Sequence, residues 1–103
     1  MEIKLTDSNY KDILINSEEP ILIDFFASWC GPCKMASPVV EKLANDLEGK
    51  VKVCKCNVDE NPTLASKFGV QSIPLFVVIK DNKVTNQALG FHNYDQLKAL
   101  LDK

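Results

Sequence analysis

The chain has 103 residues, of which 46% are hydrophobic and 25% charged, and its formal net charge is −2. These values are typical of one globular domain, which we predict to span residues 1–103. All 12 basic residues are lysines, which argues against the positive field and arginine clamps of nucleic-acid-binding modules. No apolar run approaches the roughly 18 residues of a membrane span, and Met1–Asp7 lacks the apolar core of a signal peptide. We expect a cytoplasmic protein that binds neither nucleic acid nor membrane.

The first half of the sequence predicts two strands that alternate with two helices. Ile3–Leu5 is a short strand candidate, and Asp7 is placed to cap the helix that follows. Ile21–Ala27 is apolar almost throughout, which is typical of a central strand buried on both faces. The second helix begins after Cys30. Pro38 within it predicts a kink, because proline removes a backbone donor and clashes with the preceding turn.

The second half predicts a helix between two strands, then a hairpin and a last helix. The strands are expected at Val51–Val58, Leu75–Ile79 and Val84–Leu89. Asn61 and Pro62 are typical of a helix start, Asp81-Asn82 of a hairpin turn, and Asn93 with Gln96 of a capping box. The order β-α-β-α-β-α-β-β-α predicts an α/β fold with a mixed sheet covered by helices on both faces.

The sequence Cys30-Gly31-Pro32-Cys33 follows the buried strand and opens a helix. In this context a Cys-x-x-Cys pair indicates redox chemistry rather than metal binding. Cys30 would lie at the helix N-terminus, where free backbone N–H groups and the helix dipole stabilise a thiolate. Cys33 falls about one turn later on the same side, so one sulfur can attack and the other can close back on it. Pro32 suits a first turn because no backbone donor is needed there.

Two further cysteines test the alternative of a zinc site. Cys33 and Cys54 are separated by 20 residues, which is close to the spacing of four-cysteine zinc modules. However, Cys54 and Cys56 form a Cys-x-Cys pair inside an alternating strand, without the glycine of a zinc knuckle. Their sulfurs would point to one face, which favours a role as small buried apolar side chains. A secondary redox role is the alternative.

Several further stretches occur around the cysteine motif. They are Asp24-Phe25, Trp29-Cys30-Gly31-Pro32-Cys33-Lys34, Pro38, Asn57-Val58-Asp59, Asn61-Pro62, Ile73-Pro74 and Gly90. In this order and at these spacings, the chain resembles the thioredoxin family over essentially its whole length. The resemblance implies an α/β thioredoxin fold, with a five-stranded mixed sheet flanked by four helices.

The resemblance also implies a thiol–disulfide oxidoreductase: a cytoplasmic, monomeric protein-disulfide reductase and electron carrier that serves cell redox homeostasis. Its partners would be thioredoxin reductase and target proteins that contain disulfides. It would use no bound cofactor or metal, only a redox-active disulfide between Cys30 and Cys33. Disulfide isomerases and oxidants usually carry other residues between the cysteines, often histidine, so Gly31-Pro32 favours the reductant. A redox-silent docking subunit is the alternative from another class.

Four side chains are expected to carry the chemistry. Cys30 is the attacking thiolate, because a helix N-terminus lowers the pKa of a thiol, and Cys33 resolves the mixed disulfide. Burial in a strand should raise the pKa of Asp24, and the resemblance makes it the acid that helps to deprotonate Cys33. Lys55 matches the family's lysine near that acid and would tune it. The alternative for Asp24 is a buried, purely structural ion pair.

The substrate surface is given by the resemblance. Ile73-Pro74 matches the family's cis peptide that faces the cysteines, where the Ile73 backbone can pair with an extended target segment. The alternative is a proline that simply opens an edge strand. Targets would dock on an apolar surface around the motif. This docking rim comprises Trp29, Val58, Ile73, Leu89 and Gly90.

Four positions depart from the residues that are usual in the family. Phe26 stands where many members carry a second tryptophan, and Asn82 replaces a turn glycine. Ser72 occupies a usual glycine position, and Leu75 stands where threonine is common. None of these touches the sulfur chemistry. Ser72 and Leu75 bear on the preference for substrate and reductase.

Overall fold

A computed structural model describes all residues from Met1 to Lys103 and contains five strands and four helices. The strands are β1 (Ile3–Lys4), β2 (Ile21–Phe26), β3 (Lys52–Asn57), β4 (Leu75–Lys80) and β5 (Lys83–Leu89). The helices are α1 (Tyr10–Leu14), α2 (Gly31–Asp46), α3 (Pro62–Lys67) and α4 (Tyr94–Asp102). The predicted order of elements is confirmed. None of the helices is long and apolar enough to cross a membrane.

The five strands form one mixed sheet in the order β1-β3-β2-β4-β5. β3 runs parallel to both β1 and β2, whereas β4 runs antiparallel to β2 and β5. Parallel neighbours need a crossover, which α2 supplies between β2 and β3. β4 and β5 are joined by the predicted tight turn, where Asp81 and Asn82 adopt positive φ angles of 52° and 65°. The mixed sheet with helices on both faces is therefore confirmed.

β2 is the central strand, and its residues from Ile21 to Phe25 are all buried. Because successive side chains of a strand point to opposite faces, β2 contributes side chains to two separate cores. Ile21, Ile23 and Phe25 join the core that also contains Leu14 of α1 and Leu64 of α3. On the other face, residues of β2, β3 and β4 pack against α2 and α4. They are Leu22, Val53, Phe76 and Val78, with Val40, Leu43, Leu97 and Leu100 from the helices.

Cys54 and Cys56 lie in β3 and are fully buried in the core that contains Leu14 and Leu64. Burial raises the pKa of both thiols to about 12, so neither forms a thiolate near neutral pH. Four-cysteine zinc binding would require them to approach other ligands, and no group of three or more His, Cys, Asp or Glu side chains is placed to hold a metal ion. Their predicted burial among apolar side chains is confirmed.

The helix starts show one correction. Asp7 does not cap α1, whose N-cap Asn9 makes no side-chain capping bond. Instead, the Asp7 carboxylate accepts hydrogen bonds from the backbone N–H groups of Thr63 at 3.3 Å and Leu64 at 2.8 Å, in the first turn of α3. Asn61 holds the predicted N-cap position of α3, but its Oδ1 accepts from the Asp7 N–H at 2.9 Å. The prediction for Asp7 was wrong because the cap reaches a helix far away in sequence.

Two other helix features were predicted. The capping box of α4 is confirmed, since Asn93 accepts from the backbone of Gln96 and the Gln96 side chain accepts from the backbone of Asn93, both at 2.9 Å. Pro38 lies inside α2, which runs without interruption from Gly31 to Asp46. The kink at Pro38 stays a prediction.

Removing the Asp7 carboxylate is expected to destabilise the protein. In Asp7→Ala, two N–H groups of α3 lose their acceptor, and the loss of such a cap costs about 1 kcal/mol. The free energy of unfolding, measured by denaturant titration, should fall by that amount, whereas Asp12→Ala, at an exposed position of α1, should change it by less than about 0.5 kcal/mol. Equal stability of Asp7→Ala and the wild type would show that the cap contributes nothing.

Candidate active site

Cys30 and Cys33 are joined by a disulfide at the N-terminus of α2. β2 ends at Phe26, and a short turn brings the chain to Cys30, whose N–H donates to the Ala27 carbonyl at 3.2 Å. Cys30 is the N-cap residue with extended backbone angles, and Pro32 lies in the first turn of the helix. The Cys33 N–H donates to Cys30 Sγ at 3.2 Å. The predicted position of Cys30 at the helix start is confirmed, and this N–H group can stabilise its thiolate after reduction.

The disulfide is buried in a small apolar cluster rather than exposed on an open surface. Cys30 and Cys33 are only 5% and 4% exposed, and together with Ala27 they form a separate buried cluster. Partly buried apolar side chains, including Val58 and Ile73, pack against this cluster. A target disulfide that reaches Cys30 must therefore displace water from apolar surface, which favours its association.

The loop before β4 faces the disulfide. The Ile73-Pro74 peptide is cis, as the resemblance implies, and the Ile73 carbonyl oxygen lies 3.9 Å from Cys30 Sγ. The Pro74 carbonyl accepts from the Gly90 N–H at 2.8 Å, which holds the segment after β5 against this loop. Gly90 adopts a φ angle of +89°, a conformation that side-chain-bearing residues rarely adopt. The structure thus brings Ile73, Pro74 and Gly90 together beside the cysteines.

The remaining residues of the docking rim differ in exposure. Trp29 and Leu89 are large apolar side chains that are 69% and 61% exposed, whereas Val58 is half-buried. The Trp29 Nε1–H donates to the Asp59 carboxylate at 2.8 Å, so the exposed indole is held in place by a hydrogen bond. Trp29 is not part of the core. Asp59 was not singled out from the sequence, because nothing local indicates a contact that spans 30 residues.

A second exposed aromatic residue lies directly after the rim. Phe91 follows Gly90 and is 41% exposed. Phe91 was not predicted from the sequence. Its position directly after Gly90, which was expected to lie near the site, could have indicated it. Its position extends the apolar surface beyond the docking rim.

Asp24 lies in the middle of β2 and is only 1% exposed. Neither of its carboxylate oxygens has a hydrogen-bond partner. Burial raises the pKa of Asp24 from 3.8 to about 7, the positive charge of Lys55 lowers it, and the negative charge of Glu2 raises it. The predicted raised pKa is therefore supported by the geometry of the strand.

Lys55 is the backbone neighbour of Asp24 across β2 and β3. Its amino group does not approach the carboxylate closely enough to form an ion pair. Instead, Nζ donates to Ser37 Oγ at 3.2 Å and lies 4.7 Å from the centre of the Phe26 ring. The alternative of a structural ion pair between Asp24 and Lys55 is not what the structure shows. Asp24 is a buried acid without a direct partner, in a protein whose redox centre lies on the adjoining helix.

The geometry of this centre can be compared with known proteins. The family model described as Thioredoxin matches residues 1–103, the whole chain. The chain belongs to the thioredoxin family. It is similar to the thioredoxin of Staphylococcus haemolyticus, with 46% identity over 98% of this chain and 95% of that protein. It is also similar to the thioredoxin of Pseudomonas aeruginosa, with 41% identity over 97% and 93% of the two chains, and to that of Rickettsia felis, with 39% over 100% and 98%.

Membership of the thioredoxin family makes this protein a thiol–disulfide oxidoreductase. Its fold is the α/β thioredoxin fold, and its redox group is its own pair of cysteines. Reversible exchange between this dithiol and another disulfide requires a nucleophilic sulfur, a second sulfur within reach and a surface for the partner. All three features meet at the N-terminus of α2.

Proposed function

We propose that the protein is a single-domain, monomeric, cytoplasmic protein-disulfide reductase and electron carrier. Thioredoxin reductase would re-reduce its disulfide, and disulfide-containing proteins would be its targets. The observation that carries this proposal is the hydrogen bond from the Cys33 N–H to Cys30 Sγ at the start of α2. A donor aimed at one sulfur stabilises negative charge there, which is what a nucleophilic thiolate needs.

The reaction that these groups support proceeds in two exchanges. The Cys30 thiolate attacks one sulfur of the target disulfide, forming a mixed disulfide while the other target sulfur leaves as a thiolate and takes up a proton. The Cys33 thiolate then attacks Cys30 Sγ, the mixed disulfide breaks, and the second target thiolate leaves. Two electrons pass from the dithiol to the target, and the Cys30–Cys33 disulfide is formed. The reductase would return two electrons and two protons to this pair.

Gly31 and Pro32 hold the two cysteines one turn apart, and Asp24 and Lys55 would set the proton balance of the second exchange. Cys33 is buried, so its proton needs an acceptor inside the protein. Ile23 and Phe25, the neighbours of Asp24 in β2, point into the core that contains Leu14 and Leu64. The Asp24 side chain therefore points to the opposite face of the sheet, which α2 covers. An acid whose pKa is about 7 can accept and return a proton near neutral pH.

The docking rim is proposed to bind target proteins, and Leu89 offers a direct test. Leu89 and Val84 are both exposed apolar residues of β5, but Leu89 pairs with Leu75 beside the active site, whereas Val84 pairs with Ile79 at the far end of the strand. In Leu89→Ser, the KM for a protein disulfide should rise about three- to tenfold, because buried apolar area is lost on association. Val84→Ser should leave the KM unchanged, and equal effects of both variants would contradict a docking role.

The direction of electron flow is tested by redox titration. Trp29 is the only tryptophan and lies directly before Cys30, so its fluorescence should report the state of the disulfide. We expect a midpoint well below that of the glutathione couple, as for a reductant. A midpoint at or above that couple would indicate an oxidant or isomerase instead. A variant with both cysteines replaced by serine serves as the control, since its fluorescence should not respond to the redox buffer.

A further inference from the structure

Buried polar atoms without a partner are rare in this protein. Only three buried side-chain nitrogen or oxygen atoms lack a hydrogen bond: both carboxylate oxygens of Asp24 and Oε2 of Glu2. A buried carboxylate without donors is costly in its charged form, so such a group usually has a neighbouring charge or a function. The active-site chemistry accounts for Asp24 but does not account for Glu2.

Glu2 lies directly before β1, and the pairing of β1 with β3 and of β3 with β2 relates its position to that of Asp24. β1 pairs with β3 so that Lys4 is the neighbour of Lys55, and β3 pairs with β2 so that Lys55 is the neighbour of Asp24. Ile3 packs against the core on one face of the sheet. Alternation therefore directs Glu2 to the opposite face, which is also the face of Asp24 and Lys55. The lysine lies between the two carboxyl groups on the middle strand of the three.

Glu2 and Lys55 also line the same surface hollow, with a volume of about 360 Å³. Its other lining residues are Ile3, Lys4, Leu5, Phe26, Asn57, Glu60 and Asn61. The Lys55 amino group forms an ion pair with neither carboxylate. It contacts the Ser37 hydroxyl and the Phe26 ring instead. One positive charge is therefore available to two carboxyl groups, the buried one of Asp24 inside the sheet and the half-buried one of Glu2 at its edge.

We propose that Glu2 is a positioning residue for the resolving step, a second, partly buried carboxylate that competes with Asp24 for the charge of Lys55. This inference rests on the proposed role of Asp24 as the proton acceptor of Cys33. While Glu2 is charged, it repels the Asp24 carboxylate and draws the Lys55 ammonium towards the hollow. Asp24 consequently keeps its proton to higher pH than it would with Lys55 alone.

The charges around Glu2 are consistent with this competition. Burial raises the pKa of Glu2, Lys55 lowers it, Glu41 raises it, and the amino group of Met1 lowers it. Lys4 and Glu60 are exposed, so solvent screens their charges. The same lysine thus lowers the pKa of Glu2 and of Asp24, as expected if its charge is shared.

The test is the isosteric variant Glu2→Gln, which removes the charge and keeps the shape. Carbon-13 NMR of the Asp24 carboxyl group in the reduced protein gives its titration midpoint. The midpoint should move to lower pH in Glu2→Gln, because a neighbouring negative charge is lost and Lys55 is left to Asp24. Glu18→Gln, which removes one exposed carboxylate elsewhere, is the matched control and should leave the midpoint unchanged.

The kinetic consequence is measured with an aromatic disulfide whose thiol is coloured. Reaction with the reduced protein releases one coloured thiolate when Cys30 attacks and a second when Cys33 resolves the adduct. Below the pKa, the ionised fraction of an acid rises about two- to threefold when its midpoint falls by about 0.3 to 0.5 pH unit. For a shift of this size, the second phase near pH 6 should be about two- to threefold faster in Glu2→Gln than in the wild type. The first phase should not change.

The two proposals fail in different ways. If Asp24→Asn leaves the second phase unchanged, the role of Asp24 fails, although the NMR midpoint still measures its coupling to Glu2. If the Asp24 midpoint in Glu2→Gln equals that of the wild type, or moves equally in Glu18→Gln, the competition for Lys55 is overturned while the role of Asp24 stands.

Discussion

Replacing Cys30 by serine is expected to abolish the reduction of protein disulfides, a loss of roughly a thousandfold or more, because the attacking sulfur is the covalent nucleophile of the reaction. Cys33→Ser should behave differently. Its Cys30 still attacks, but no second sulfur can resolve the adduct, so the mixed disulfide should persist. With a coloured aromatic disulfide, Cys33→Ser should release one equivalent of thiolate, and the wild type two.

The buried pair in β3 provides the control for this experiment. Cys54→Ala and Cys56→Ala remove a thiol but leave the site intact, so both should keep two phases of thiolate release. Burial holds the pKa of both thiols at about 12, which leaves them unreactive near neutral pH. Persistent adducts that form in Cys30→Ser but not in Cys33→Ser would show that the roles of the two active-site cysteines are reversed.

Asp24→Asn is expected to stabilise the disulfide form of the protein at high pH and, in the reduced protein, to slow the resolving step. The folded protein holds the Asp24 proton up to a pKa of about 7, whereas in the unfolded chain the proton leaves near the ordinary value of 3.8. Between these values the folded state binds more protons, so the wild type loses stability as the pH rises from about 4 to about 7. Above pH 7 the free energy of unfolding of the wild type is lower by up to about 4 kcal/mol. Asp24→Asn has no titrating group at this position, so its free energy of unfolding should not fall in this way.

This prediction needs unfolding measurements at two pH values. Denaturant titrations near pH 4 and near pH 8.5 should show that the advantage of Asp24→Asn appears only at the higher pH. Asp12→Asn changes an exposed acid and should show no such trend. The second phase of thiolate release should meanwhile be slower in Asp24→Asn, with a flatter pH profile. An equal stability gain at both pH values would contradict the conclusion that the buried Asp24 keeps its proton in the folded protein up to about pH 7.

Much of the site follows from patterns that are local in sequence. The apolar run of β2, the cysteine motif at a helix start and the capping box of α4 each depend on residues within one element, and each is confirmed. Asp7 shows where such reasoning stops. Its carboxylate accepts a hydrogen bond from the N–H of Leu64 in α3, 57 positions further along the chain, rather than from α1. No local pattern contains that contact.

Lys55 and Glu2 illustrate a second limit. The resemblance predicted Lys55 near Asp24, and the pairing of β2 with β3 does make them neighbours. The direction of the flexible Lys55 side chain, however, depends on its contacts with Ser37 and Phe26. Glu2 gave no signal in the sequence, because a glutamate at the start of a short strand is ordinarily solvated. Its burial becomes visible only when the hollow beside β1 is assembled in three dimensions.

The redox bond joins cysteines only three positions apart. A crosslink stabilises a protein mainly by restricting its unfolded chain, and a loop this short restricts it by only about 2 kcal/mol. The sheet and its two cores therefore keep the molecule folded whether or not the bond is present. Proteases that cleave opened chains should nevertheless cut the reduced form faster than the disulfide form, because about 2 kcal/mol changes the population of open chains about thirtyfold.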